Sequence, residues 1–271
     1  MPAAVPGRRR GSLERPAPAM NGAIQAKRRA LAAVEGPRPW RLRSLAVCAS
    51  TETELGRWLE RQPPAEQLTE PRLVVARHQC FGHGQQGRRW ESPAGGVWLS
   101  AALPWPAEPQ VAAAPGLAVA LALAEALIAR GAPVQLKWPN DLLLLTPTGP
   151  RKLAGLLPGL RLRGSRIRWA RIGLGLNGRN PVPVGAANLL GQPGLWHGEP
   201  LALAALVLRA LERAMALAGE AEAVRAGSEA LLAPTDPQWL EGSWWQPQGL
   251  APDGGLRLVR SDGRERILRR F

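Results

Sequence analysis

Lys137-Trp138-Pro139-Asn140-Asp141, followed after a short turn by Arg151-Lys152-Leu153-Ala154-Gly155, gathers the chain's scarcest reactive side chains. Lysine occurs only at 27, 137 and 152, although Lys plus Arg total 35, and aspartate first occurs at 141 and next at 236. Lys is a compact point charge and Arg a planar fork, so a site that keeps Lys among so many Arg asks for one donor in a confined space. Upstream, Gly82-His83-Gly84-Gln85-Gln86-Gly87-Arg88-Arg89-Trp90 is Gly-rich and cationic; downstream, Gly173-Leu174-Gly175-Leu176-Asn177 leads alternating Gly to an Asn. Glycines let backbone N–H groups approach an anion, and the two arginines add charge. No Ser-His-Asp set, Cys-His pair or acid pair is placed for hydrolysis. What remains suits transfer at phosphorus, where catalysis is positioning and charge neutralisation. Asn140 and Asp141 offer oxygens to Mg²⁺ beside a nucleotide phosphate. Lys152 is placed to neutralise a carboxylate and an α-phosphate as they combine.

The elements that must carry these residues are legible in order. Leu45 to Ala49 reads as a strand, and Ser50 or Thr51 as the cap of a helix with Leu55, Trp58 and Leu59 on its inner face. Leu73 to Arg77 is a second strand and Val97 to Leu103 a third. The Gly-rich run between them fits the G-x-G-x-x-G pattern, but a dinucleotide fold needs the third Gly to open a helix, and here Pro93, Gly95 and Gly96 follow before the next strand. A protein kinase places such a loop between strands too, yet no H-R-D or D-F-G follows. Gly116 to Arg130 is a helix apolar all round and therefore buried. Val134 to Trp138, Leu142 to Leu145, Leu153 to Leu162 and Ile167 to Leu176 are strands. Leu201 to Ala218 is a periodic helix expected to turn Arg209, Glu212 and Arg213 outward, and a second runs from Ala221 to Leu232. From about 238, Trp-rich and alternating segments read as short antiparallel strands too few to fold alone.

The chain of 271 residues is long enough for a full core. Its net charge of +14 raises the question of nucleic acid. Ten Arg or Lys against two Glu lie between residues 1 and 43, however, in a Pro/Ala/Arg-rich lead without apolar periodicity. That lead reads as a disordered basic tail, with Met20 as an alternative start and a transit peptide as a second reading. The eleven Trp are spread from 40 to 245 rather than interleaved with Arg, which favours core packing over base stacking. Cys48 and Cys80 form neither a disulfide framework nor a metal pair, which suits a reducing cytoplasm, and Cys80 is expected to be a buried thiol. The apolar stretch from Leu117 to Ile128 is too short to span a bilayer. The organisation expected is a tail over 1–43, a main domain over 44–235 and a small β domain over 236–271.

Gln79 to Trp90, Lys137 to Asp141, Arg151 to Gly155 and Gly173 to Asn177, in this order and spacing, resemble the biotin protein ligases, over roughly residues 45 to 270. The resemblance implies an α+β fold: a catalytic domain similar to class II aminoacyl-tRNA synthetases, with a mixed sheet and flanking helices, plus a small SH3-like barrel. It implies ATP and biotin as substrates, Mg²⁺, and biotinyl-5′-AMP as intermediate, with the biotin carboxyl carrier protein of acetyl-CoA carboxylase as acceptor. Ser50, Thr51, Gln79, Gly82, His83, Gly84, Gln85, Lys152 and Gly155 would then contact biotin. Arg88, Trp90, Lys137, Asn140, Asp141 and Asn177 would lie on the nucleotide side, Asn140 and Asp141 also toward the metal, and Lys152 and Arg88 would be catalytic. The chain departs from the family in two places. The usual Ser-Thr-Asn is Ser50-Thr51-Glu52, and the usual Gly-Arg-Gly-Arg is Gly82-His83-Gly84-Gln85, so the loop is expected to hold the adenylate less firmly, with Arg88 compensating. The lead is too short and too Pro/Arg-rich for the winged helix-turn-helix of the family's repressors, which implies a monofunctional ligase, possible as a homodimer, with no specific nucleic acid and no membrane as partners. The rival readings are a lipoate or octanoate ligase or transferase, which shares the fold, a basic nucleic-acid-binding protein, and a fold that only binds biotin.

Overall fold

A computed structural model describes residues 18–64 and 66–269, except 32–39. The elements run α1 (Pro18–Leu31), β1 (Arg41–Cys48), α2 (Thr51–Arg61), β2 (Arg72–Gln79), β3 (Val97–Leu103), α3 (Pro115–Ile128), β4 (Val134–Lys137), β5 (Asp141–Thr146), β6 (Gly149–Arg163), β7 (Arg166–Leu176), α4 (Pro200–Ala216), α5 (Ala221–Ala230), β8 (Gln238–Leu240), β9 (Ser243–Leu250), β10 (Leu256–Val259) and β11 (Glu265–Leu268).

The first seven strands form one mixed sheet in the order β1-β2-β3-β7-β6-β5-β4. Only β1 and β2 run parallel; every other neighbouring pair is antiparallel. Strand period decides what each face carries. On β7, Ala170, Ile172, Leu174 and Leu176 enter the main core with α3 and α4, which leaves Arg171, Gly173, Gly175 and Asn177 on the other face. On β3, Val97, Leu99, Ala101 and Leu103 join the main core, while Ala102 packs with Leu55, Trp58 and Leu59 of α2. The sheet is thus a layer with helices on both sides. The part of its second face that α2 does not cover is open. The helix α3 is buried on almost every side, as its uniformly apolar sequence requires.

The second sheet, in the order β11-β10-β9-β8, is fully antiparallel. It docks through Trp245, Leu250, Leu256 and Leu258, which belong to the main core. Trp138 Nε1 donates to Gly254 O at 3.0 Å, and Leu250 N donates to Glu229 Oε1 at 2.5 Å. The architecture is the α+β arrangement expected, with a small β unit after the helices.

The lead differs from the expectation. Residues 1–17 and 32–39 lie outside the described residues, but 18–31 form α1, which packs on α4, and Arg41 to Arg43 already belong to β1. The reason is an ion pair that the apolar pattern alone cannot show. Arg28 Nη1 lies 2.9 Å from Glu212 Oε1, with side-chain exposures of 3% and 10%. Trp40 Nε1 donates to the same oxygen at 2.9 Å, and Arg209 Nη1 to the other at 2.7 Å. Glu212 therefore faces α1 and not solvent, and Ile24 is buried beside it. Seven tryptophans, 40, 58, 98, 105, 138, 169 and 245, are core residues.

Candidate active site

The open part of the sheet forms a cleft of about 350 Å³. One end is a polar wall built where the N-terminus of α2 meets β2 and β3. Ser50 caps α2, its Oγ accepting from Glu52 N at 3.2 Å, so the plain cap and the cleft position coincide in one residue. Thr51 N donates to Gln79 Oε1 at 2.8 Å, and Thr51 Oγ1 reaches both Gln79 Oε1 at 3.0 Å and Ser100 Oγ at 2.9 Å. The Gln79 amide continues the chain to Ser92 Oγ at 2.8 Å. One glutamine side chain thereby fixes the helix start to the base of the Gly-rich loop.

That loop is a narrow hairpin. Gly84 N donates to Arg88 O at 2.8 Å, Trp90 N to Gly82 O at 2.9 Å, and the turn closes at Gln86 and Gly87, both with positive φ. Gly82 is required by packing: a Cβ there would lie 2.5 Å from Trp90 O and 2.7 Å from Ser92 Oγ. Gly82 is buried at the base of the hairpin and does not line the cleft, whereas His83, Gly84, Gln85, Arg88, Arg89 and Trp90 do. The Trp90 ring lies over the second sheet face, and the alternating glycines make room for it. A Cβ at Gly175 would lie 2.4 Å from its Nε1, and one at Gly155 3.0 Å from its Cζ3.

At the other end, Lys152 Nζ stands 2.7 Å from Asp141 Oδ1 and 5.0 Å from the centroid of Trp90. A shift in the β5–β6 register brings them together. Asp141 and Leu142 pair with Gly155 and Ala154, but Leu143 pairs with Lys152, so β6 carries one extra residue. Leu153 and Ala154 are consecutive and both enter the core. In a straight strand, residues 152 and 155 would face opposite sides; the bulge turns Lys152 onto the face that holds Gly155. Asn140 is tied to the same strand, its Nδ2 donating to Leu156 O at 2.6 Å. Asn177 is buried, with its Oδ1 accepting from Asn180 Nδ2 at 3.0 Å. The segment after it returns over β6, where Lys152 N donates to Gly185 O at 3.1 Å and Ala187 N to Lys152 O at 2.9 Å.

Of the residues singled out in the sequence, Ser50, Thr51, Gln79, His83, Gly84, Gln85, Arg88, Trp90, Asn140, Asp141, Lys152, Gly155 and Asn177 line this one cleft. Lys137 does not: it is exposed at the end of β4, paired across the strands with Asp141. As a cross-strand partner it shares the face of Asp141, but it stands on the edge strand, outside the cleft. Cys80 is exposed rather than buried. Cys48 is the buried thiol, and burial first, then the nearby Glu54 and Cys80, pushes its pKa up to about 12. Ser100, Asn180 and the Pro183 and Ala186 contacts escaped the sequence reading. Ser100 had a signal, as the one hydroxyl within the wholly buried run of β3. Among the described residues no helix is long and apolar enough to cross a membrane.

Residues 45–177 match the biotin/lipoate A/B protein ligase family. The fold is similar to that of solved biotin protein ligases. The structure superposes on a biotin protein ligase from Aquifex aeolicus in complex with biotin and ATP with a TM-score of 0.60, at 21% identity, over 84% of this chain and 95% of that one. For the enzyme of Leishmania major in complex with biotinyl-5-AMP the TM-score is 0.53, at 19% identity, over 86% and 100%. Among curated proteins, the bifunctional ligase/repressor BirA of Salmonella typhimurium is 42% identical over 107 residues, 38% of this chain and 32% of that protein. The corresponding protein of Bacillus subtilis is 35% identical over 113 residues, 40% and 33%. The matched stretch spans about a third of the length of these curated relatives.

Proposed function

We propose that the protein is an ATP-dependent biotin protein ligase, joining biotin to the carboxyl carrier protein of acetyl-CoA carboxylase through biotinyl-5′-AMP. The observation that carries this reading is the single cleft that runs from the hydroxyl and amide wall of Ser50, Thr51 and Gln79, beneath the cationic Gly-rich loop, to the Lys152–Asp141 pair. Such a cleft suits an acid whose tail is held at the polar wall and whose carboxylate meets an α-phosphate at Lys152. In the first step the carboxylate oxygen attacks the α-phosphorus and the bond to the β-phosphate breaks, releasing pyrophosphate. In the second, a carrier lysine amine attacks the acyl carbon, AMP leaves with the former carboxylate oxygen, and the amine loses a proton. Lys152 supplies positive charge where both steps gather negative charge. Arg88 and Arg89 would do so from the loop, and Asn177, which lines the same cleft, would face the nucleotide.

Asp141 and Asn140 fit a magnesium ion of the kind that takes few protein oxygens. Asp141 and Asn140 would hold a Mg²⁺ together with nucleotide phosphate oxygens and water, the ligands that ion favours in phosphoryl-transfer sites. It supplies charge neutralisation at the phosphates. The named relatives in complex with biotin and ATP and with biotinyl-5-AMP support the same substrates.

The test is biotin-dependent exchange of pyrophosphate into ATP, with wild type beside Lys152→Ala. Exchange that requires biotin and falls about 100- to 1000-fold in the variant is expected, the usual loss when one preorganised charge-stabilising donor is removed. Exchange with lipoate or octanoate instead of biotin would keep the fold and overturn the substrate. Absence of exchange with any of these acids would leave a binding protein.

A further inference from the structure

On the opposite face of the sheet from the active cleft, a groove of about 320 Å³ opens between α1, the ends of β2 and β3, and the start of α4. That is at the small end of the roughly 300–1,000 Å³ usual for ligand sites, and the groove shares no lining residue with the active cleft. Met20 and Ile24 of α1, Val75 of β2, Val97 of β3 and Leu201 and Ala204 of α4 give it apolar walls, none of which the transfer chemistry uses. Charge is confined to the rim. Arg77 continues the parity of Leu73 and Val75 on β2, so it stands on this face, exposed and without a side-chain partner among the described residues. Glu199, also on the rim, is fully engaged: it accepts from Leu201 N and Ala202 N and lies 3.3 Å from Lys27 Nζ and 3.7 Å from Arg179 Nη2. Three cations thus meet one carboxylate, and the charge of Arg77 is answered by no protein group.

We propose that this groove binds an unbranched alkyl carboxylate of medium length, with Arg77 taking the carboxylate and α1 and α4 enclosing the tail. An apolar groove with one uncommitted cation at its mouth is the complement of an amphiphile with one negative charge: the guanidinium fork matches the two carboxylate oxygens, and the tail leaves water along the helices. A doubly charged phosphate head would find only one free guanidinium. Imperfect packing under an N-terminal helix would also leave a groove, but a groove of that origin would not distinguish the charge of the head. The inference is independent of which acid the active cleft takes. A bound tail bridges α1, α4 and the sheet, so the ligand also stabilises the folded chain.

Titration calorimetry of the full chain with hexanoate, octanoate, decanoate and decylamine, each below its aggregation concentration, tests the head and the tail separately. Binding of the acids is expected to tighten by about fourfold per added methylene, and decanoate to bind at least about 10-fold more tightly than decylamine, the worth of a bond between charged partners. Arg77→Glu touches no core contact and is expected to reverse the preference between decanoate and decylamine. The place is read directly with a decanoate that carries a diazirine near its tail end: after irradiation, peptide mass spectrometry is expected to find the label on residues 20–24 of α1 or 201–204 of α4. Label on residues of the active cleft would assign the acid to that cleft and overturn the proposal, whatever the protein's substrate proves to be. So would absence of saturable binding at every length, or a preference between acid and amine that Arg77→Glu leaves unchanged.

Discussion

Gly175 has no space for a methyl group, and replacing it tests how the cleft is held open. A Cβ there lies 2.4 Å from Trp90 Nε1, 2.5 Å from Cε2 and 2.8 Å from Cζ2, where non-bonded atoms prefer about 3.5–4.0 Å. The indole must therefore retreat by about 1 Å. Toward β6 it meets Gly155, whose own Cβ position is 3.0 Å from Cζ3, and toward β3 it meets the ring of Trp98, edge-on with centroids 6.5 Å apart. The remaining direction is into the cleft, away from the position over which Lys152 Nζ now stands. Gly175→Ala is expected to cost about 1–3 kcal/mol of stability as overpacking. It is expected to slow biotin-dependent pyrophosphate exchange by about 100-fold, the usual penalty for misplacing reacting groups by about 1 Å. Both are measurable on one preparation, by thermal melting and by exchange at saturating biotin and ATP. Because the clash is with one ring, Gly175→Ala should do less harm in a Trp90→Leu background, a coupling that independent sites do not show. Wild-type exchange in Gly175→Ala, or strictly additive losses in the double variant, would refute the reasoning.

Two further predictions concern the scaffold. Glu212→Ala removes the carboxylate that faces Arg28, 3% exposed, and is expected to destabilise the protein by about 3–5 kcal/mol in urea unfolding, as breaking a buried ion pair does; a loss below about 1 kcal/mol would mean that α1 does not depend on this pair. Glu199 caps α4, accepting from Leu201 N at 3.0 Å and Ala202 N at 2.7 Å; partial burial pushes its pKa up, but these two bonds and Lys27 outweigh it and hold the carboxyl below its ordinary 4.5. A carboxyl depressed in the folded state stabilises above its unfolded pKa and loses that contribution as pH falls through the folded value. Glu199→Ala should therefore cost about 1 kcal/mol near neutrality, and the gap from wild type should close below pH 4.5; a gap constant into acid would refute the cap.

Periodicity made most of the scaffold legible. The run from Val97 to Leu103 coincides with β3, and α3, α4 and α5 end within about two residues of their expected limits, because apolar repeats report burial directly. The lead was misjudged for the converse reason. Its helix is held to α4 by Arg28 and Glu212, two charged side chains that read as solvent-facing until a partner 184 residues away is known. Within the site, the rarity of Lys and Asp located Asp141 and Lys152, but the same criterion included Lys137, which stands exposed on the edge strand outside the cleft. Rarity says that a residue type is kept; only the order of strands in the sheet says how far it stands from the cleft. Ser100 could be found only as the one hydroxyl of a buried apolar strand, and Asn180, in the turn after β7 between Arg179 and Pro181, belongs to no repeating pattern.

Parity also explains why the motifs must be contiguous. On β7 the even-numbered leucines at 174 and 176 fill the core, while Gly175 admits the indole and Gly173 faces Leu157 and Glu52, so a slip of one residue would exchange the two sets and close the cleft with leucine. On β6 the opposite problem arises, since Lys152 and Gly155 are both needed on the open face and are separated by an odd number of steps. The extra residue at the β5–β6 bulge resolves it by sending Leu153 and Ala154 together into the core. Arg151-Lys152-Leu153-Ala154-Gly155 is therefore a single geometric unit, in which the small alanine makes two successive buried side chains tolerable and the glycine clears the ring of Trp90. Glu52 and Arg171 belong to the same scheme: Arg171 shares the odd face of β7 with Gly173 and Gly175, which brings its guanidinium under the first turn of α2 and fixes a carboxylate at the polar end of the cleft that Lys152 closes at the other.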